Sequence, residues 1–141
     1  MKKEYYFGLF ALLAFVGIAS AATTSALLPT SDGTYTSWTP KSGVSHFAMV
    51  DESTCNGTTD YNSTNVVGNR DSYGISLSSV PSGSVITAIA ITPCASRNQN
   101  GGGSSTMNVF YRLNSSNSAN SGAYSLTGTT PASLSATTYS G

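Results

Sequence analysis

Residues 107–113 read Met-Asn-Val-Phe-Tyr-Arg-Leu, and residues 72–78 read Ser-Tyr-Gly-Ile-Ser-Leu-Ser. Met107, Val109, Tyr111 and Leu113 recur at every second position, as do Tyr73, Ile75 and Leu77. Successive side chains of a strand face opposite sides, so this alternation predicts strands with one apolar and one wet face. Between them, residues 85–92 (Val-Ile-Thr-Ala-Ile-Ala-Ile-Thr) are almost continuously apolar and are expected to form a central strand covered on both faces. Ala88 and Ala90 would be its small side. Further strands are expected over residues 34–38, 44–50, 123–127 and 134–139. Turn chemistry fills the gaps at residues 31–33, 39–43, 80–83 and 98–103. Residues 98–105 and 114–122 read as low-complexity, flexible hairpin tips. No ten-residue stretch beyond the N-terminal region repeats apolar positions at three and four, so helices are not expected there. Short strands at this spacing predict an all-β fold, a two-sheet antiparallel β-sandwich of jelly-roll type.

The composition narrows the partners. Of 141 residues, 6 are Lys or Arg and 6 are Asp or Glu, or 9% charged, against about a quarter in ordinary soluble domains. The chain carries 25 Ser, 18 Thr, 14 Gly and 10 Asn. With zero net charge and no cationic cluster after residue 3, nucleic acid and anionic membrane surfaces are not expected partners. The apolar share, 39%, and the low charge argue for a chain that folds.

Lys2 and Lys3 precede an uncharged run over residues 5–22, which ends in Ala19-Ser20-Ala21. This is the pattern of a helical signal peptide over residues 1–21, cleaved after Ala21. Residues 22–31 then read as a spacer and residues 32–141 as the β-sandwich domain. The alternative is an uncleaved anchor, since the run approaches the roughly 20 residues that span a bilayer; the leader would then be the only membrane attachment. Both readings place the rest of the chain outside the cytoplasm, secreted or in the cell envelope.

Asp32-Gly33 followed by Trp38, Val50-Asp51-Glu52, Asp60-Tyr61, Asp71-Ser72-Tyr73, the Pro81-Ser82-Gly83 turn, and residues 86–91 leading to Arg97 form a further pattern. Together they resemble a recurrent domain of bacterial exported proteins and bacteriophage structural proteins. The resemblance covers residues 32–141 and implies a jelly-roll β-sandwich on a cell surface or virion, with no catalytic signature. In such domains a further aromatic-bearing segment follows the last strand. The resemblance therefore implies that the domain is incomplete at Gly141, with a sheet edge left unpaired.

Few residues offer chemistry. Cys55 and Cys94, separated by 39 positions, are the only cysteines and are expected to form a disulfide in an exported chain; a free, buried thiol at Cys94 is the alternative. Two cysteines and His46 lack the fourth ligand and paired spacing of a zinc site. His46 has no Gly-x-Ser-x-Gly partner and no acid placed by sequence to orient it, so it reads as a partly exposed strand residue beside Phe47. Asp51, Glu52, Asp60 and Asp71 carry oxygens suited to Ca²⁺, and two of them to glycosidase acid–base work, but loop carboxylates are more often solvated. No catalytic residue, metal site or cofactor is assigned; Asp51, Glu52 and Asp60 are the calcium candidates.

Aromatic faces stack on sugars, which singles out Trp38, Tyr61, Tyr73 and Tyr111. Trp38, Tyr73 and Tyr111 lie on the apolar phase of their strands and are expected in the core. Tyr61, with Asp51, Glu52 and Asp60 nearby in sequence, is the candidate ligand contact. Asn-x-Ser/Thr triplets at Asn56, Asn62 and Asn114 arise readily in such a composition and are not counted as sites. The expected function is a non-enzymatic structural or adhesive module, with glycans or other envelope proteins as partners. A carbohydrate-binding module is the alternative, and a glycosidase fragment the third reading.

Overall fold

The computed structural model describes residues 23–97 and 105–141. The leader expected over residues 1–21 and the turn expected over residues 98–103 lie outside the described residues. Within them the chain is all-β and antiparallel, paired as six two-stranded ladders. No helix among the described residues is long and apolar enough to cross a membrane.

The ladders nest into two ribbons. In the first, β1 (Pro29–Thr36) pairs with β4 (Asp71–Ile75), and β2 (Thr39–Pro40) pairs with β3 (Asn62–Ser63). The Ser37 N–H donates to the Arg70 carbonyl at 3.0 Å and Lys41 N–H to that of Tyr61 at 2.8 Å, so pairing continues between and beyond the two ladders. In the second ribbon β5 (Ala88–Ile91) pairs with β12 (Thr137–Ser140), and β6 (Cys94–Ala95) with β11 (Ala132–Ser133). Further along, β7 (Ser105–Met107) pairs with β10 (Tyr124–Leu126), and β8 (Arg112–Leu113) with β9 (Ser116–Asn117). This is one long hairpin. Its tip is Asn114-Ser115, whose φ values of 48° and 67° are the pair of left-handed conformations that a two-residue type I′ turn requires.

The hydroxyl-rich composition has a structural use in these ribbons. Where the β1–β4 register slips, five residues from Asp32 to Thr36 face three from Tyr73 to Asp71, and the stranded Tyr35 N–H donates to Ser72 Oγ at 2.9 Å. Ser121 Oγ likewise accepts from Val109 N–H at 2.9 Å, and Ser118 Oγ from Tyr111 N–H at 3.0 Å. Serine side chains thus satisfy strand donors that the broken ladder leaves over, which an apolar side chain cannot do. Within residues 114–122, expected as a flexible tip, Ser116 and Asn117 form β9, and these serine bonds carry the pairing on through residues 118 and 121.

The second ribbon curls. Tyr139, which pairs with Ile89 at its base, stacks edge-to-face on Tyr111 at 5.1 Å and donates its hydroxyl to the Val109 carbonyl at 2.6 Å. The two ribbons meet at two places. Tyr35 packs edge-on against Phe110 at 6.0 Å, and Cys55 is disulfide-bonded to Cys94 with a Cα–Cα distance of 5.4 Å.

Two strand expectations are corrected. Residues 85–92 are not covered on both faces: Val85 and Ile86 are exposed, and within β5 Ile89 and Ile91 are half-buried while Ala88 and Ala90 face water. Alanine made the run look uniformly apolar, although its small side chain costs little on a wet face. Residues 44–50 form a 3₁₀ turn at Phe47–Met49 rather than a strand, held by Met49 N–H to His46 O and by Phe47 N–H to Asp32 Oδ1 at 2.6 Å. The core expectation is also corrected: Trp38, Tyr73 and Tyr111 are half-buried, and no apolar side chain among the described residues is fully buried.

Gly33 sits inside the β1 bulge, where a Cβ would lie 2.7 Å from the backbone carbonyl carbon and oxygen of Ser72. Backbone in a paired strand cannot yield, so Gly33→Ala is expected to cost about 1–3 kcal/mol. A Cβ at Gly74 would instead meet Ser31 Oγ, which a χ1 rotation moves away. Thermal denaturation checks the ordering; a Gly74→Ala loss equal to that of Gly33→Ala would contradict it.

Candidate functional site

Asp71 opens β4, and its side chain is 4% exposed. A buried carboxylate is costly unless its lone pairs are filled, and here they are. Oδ1 accepts from the Trp38 backbone N–H at 3.0 Å; Oδ2 accepts from the Tyr73 hydroxyl at 3.1 Å and from His46 Nδ1 at 2.9 Å. An ionised carboxylate only accepts, so His46 carries a proton on Nδ1. Asn62 closes the cluster by donating Nδ2 to the Tyr73 hydroxyl at 3.0 Å and to the His46 carbonyl at 2.8 Å.

His46 is therefore not the partly exposed strand residue expected from sequence. It is 8% exposed, buried in the polar cluster, and it precedes the 3₁₀ turn. The acid that orients it lies 25 positions away, on a different element. One signal was present in the sequence: Asp71 and Tyr73 share a strand face by their two-residue spacing. The cluster joins the β1–β2 corner at Trp38, the turn, β3 and β4 into one polar node.

Burial raises the Tyr73 phenol above its ordinary range, and the nearby Asp71 and Asp32 carboxylates add to the shift. The folded state then holds a proton that the unfolded chain releases, so this contribution is intact below pH ~10 and lost as pH rises beyond it. Circular dichroism against pH should show stability falling in that alkaline window, and Tyr73→Phe should flatten the fall. An unchanged slope in Tyr73→Phe would count against it.

The residues singled out from sequence lie at the two ends of the loop spanning residues 51–61. In the structure Glu52 lies within electrostatic reach of both Asp60 and Asp51. Among the described residues no three His, Cys, Asp or Glu side chains are grouped to hold a metal ion. Tyr61 is half-buried, with the Lys41 ammonium 5.5 Å from its ring centre.

Burial raises the Glu52 carboxyl, and the hydrogen bond and charge of Asp60 with the charge of Asp51 push it further. A raised carboxyl stabilises the fold below the ordinary glutamate range, near pH 4.3, and that stability is lost as pH rises through it. Glu52→Gln should therefore raise the melting temperature at pH 7 and not at about pH 3. A gain of equal size at both pH values would exclude this cause.

A second cluster, which sequence reading did not single out, occupies the ribbon junction. Arg70 lies 5.8 Å from the Tyr35 ring and 5.7 Å from that of Phe110, and Arg112 lies 5.4 Å from the Tyr35 ring. Arg112 Nη1 donates to the Tyr35 hydroxyl at 3.5 Å and to Asn117 Oδ1 at 2.9 Å; Asn117 Nδ2 donates to the same hydroxyl at 3.1 Å. The Asn117 hydrogen bond, then the Arg112 and Arg70 charges, hold this phenol below its usual range. Sequence could not pair residues 77 positions apart across two ribbons.

Comparison with protein-family models, curated proteins and solved structures finds no match.

Proposed function

We propose that this chain is an exported, non-enzymatic module with a structural or adhesive role at a cell envelope or virion-like surface. In this reading its two ribbons close face to face as a jelly-roll-like sandwich. The observation that carries it is the Cys55–Cys94 disulfide, which fastens the loop of the first ribbon to β6 of the second. Such a crosslink persists in oxidising compartments outside the cytoplasm, where the leader would deliver the chain. A curled hairpin is the element from which jelly rolls are built, and the Tyr139–Tyr111 contact supports that topology here. The buried polar node serves the same role: its histidine is sealed, as suits a fastening rather than a reaction.

Expression of the full chain with its own leader in a bacterial host tests the reading. The expected product is found outside the cytoplasm, begins at Ala22, and gains mass on alkylation only after reduction. A cytosolic product beginning at Met1 with two free thiols would overturn it.

A further inference from the structure

Outside Lys2 and Lys3 the chain has four cationic side chains, Lys41, Arg70, Arg97 and Arg112. Two of them, Arg70 and Arg112, come from different ribbons and both lie over the Tyr35 ring, Arg112 also donating to its hydroxyl. No carboxylate lies within 4 Å of either guanidinium among the described residues. Two like charges gathered at one aromatic ring repel. The ring contacts offset this only in part, at about 0.5–1 kcal/mol for an exposed cation over an aromatic face. An oxyanion seated between the guanidiniums would reverse the sign of that interaction, and a carboxylate matches the planar guanidinium fork with two parallel hydrogen bonds.

The surroundings decide what carries the oxyanion. Asn114, Ser115, Ser116 and Asn117 form an exposed neutral rim at the hairpin tip, and Thr34 and Thr36 flank Tyr35 on the exposed side of β1. Amides and hydroxyls of this kind pair with sugar hydroxyls. A nucleic acid or an anionic bilayer would draw on a longer track of cations than two arginines in a chain whose charges otherwise balance.

We propose that Arg70 and Arg112, set about Tyr35 and Phe110 and edged by Asn117, bind the carboxylate of an acidic sugar chain of the hexuronate class. This rests on the reading of the chain as an exported surface module, and it names the partner chemistry of that module.

The test is calorimetric titration of the exported, disulfide-bonded protein at low ionic strength. The probes are tetragalacturonate, its methyl ester, and a sulfated oligosaccharide of equal length. Tetragalacturonate should bind. Esterification, Arg70→Gln and Arg112→Gln should each weaken binding by about tenfold or more, the worth of one charge-assisted hydrogen bond. Arg70 is exposed, so Arg70→Gln reports on binding even if Arg112→Gln perturbs the tip. Arg70→Lys should restore part of the affinity.

Equal binding of ester and acid, variants that bind like the parent, or binding of the sulfated probe alone would overturn the site. A protein that is exported and crosslinked but inert to tetragalacturonate overturns this inference and leaves the module standing. Retention in the cytosol overturns the module itself.

Discussion

Asp71→Ala should lower the stability by about 3–5 kcal/mol, the range expected when one member of a buried, hydrogen-bonded pair is removed. The size follows from what the carboxylate holds. Trp38 N–H, the Tyr73 hydroxyl and His46 Nδ1 all donate to it, and it is almost fully sheltered. Truncation leaves three donors facing a cavity, and each buried donor without a partner costs about 1–3 kcal/mol. Asp71→Asn keeps the shape and one acceptor. Oδ1 still receives Trp38, while the new amide must face the His46 nitrogen, which can turn from donor to acceptor by changing tautomer. The asparagine variant should therefore lose less than half as much as the alanine variant. Chemical denaturation of both variants at pH 7 measures the difference, with the slope against denaturant checked for constancy. Equal losses would mean that the carboxylate acts through its volume alone, and the polar node would then not organise this end of the first ribbon.

The parts of this architecture that were legible in the sequence are those written in short-range pattern. The alternation at residues 72–78 and 107–113 marked strands, and the structure has β4, β7 and β8 there, though Val109 and Tyr111 are bonded by serine side chains instead of a regular ladder. The two cysteines, in a chain whose first residues read as an export leader, were enough to expect their pairing. What escaped was decided at long range. His46 reads as an isolated side chain until the fold brings Asp71 to it, and Arg70 and Arg112 read as scattered charges until both reach Tyr35. Periodicity assigns serine no partner, yet Ser72, Ser118 and Ser121 finish the strand hydrogen bonding. The covered central strand failed because alanine carries no information about which face is wet. Where no described apolar side chain is fully buried, polar contacts take over part of the role that a core gives to packing, and their partners cannot be read from periodicity.

Loss of the Cys55–Cys94 bond should cost about 4 kcal/mol in the chain-entropy model, since a loop spanning 39 positions is released in the unfolded ensemble. For a domain of this size that corresponds to a fall in melting temperature on the order of 15 °C. The effect should be felt strongly because no fully buried apolar side chain among the described residues provides a reserve, and whole domains have only about 5–15 kcal/mol to lose. Native-state contacts add to it. Gly57 is packed so closely under Pro131 that a Cβ would sit 2.8 Å from the proline ring, a fit that depends on the neighbouring crosslink holding the 51–61 loop against the β6–β11 ladder. Calorimetry of the parent with and without reductant, beside the double variant Cys55→Ser with Cys94→Ser, separates the two contributions. If loop entropy dominates, reduced parent and double variant should melt together, well below the oxidised parent. In that case Gly57→Ala in the oxidised protein should cost clearly less than the crosslink. Should reduction leave the melting temperature unchanged, the two ribbons must already be fastened by the Tyr35–Phe110 junction and the curl at Tyr139, and the disulfide would then add only a barrier to their separation.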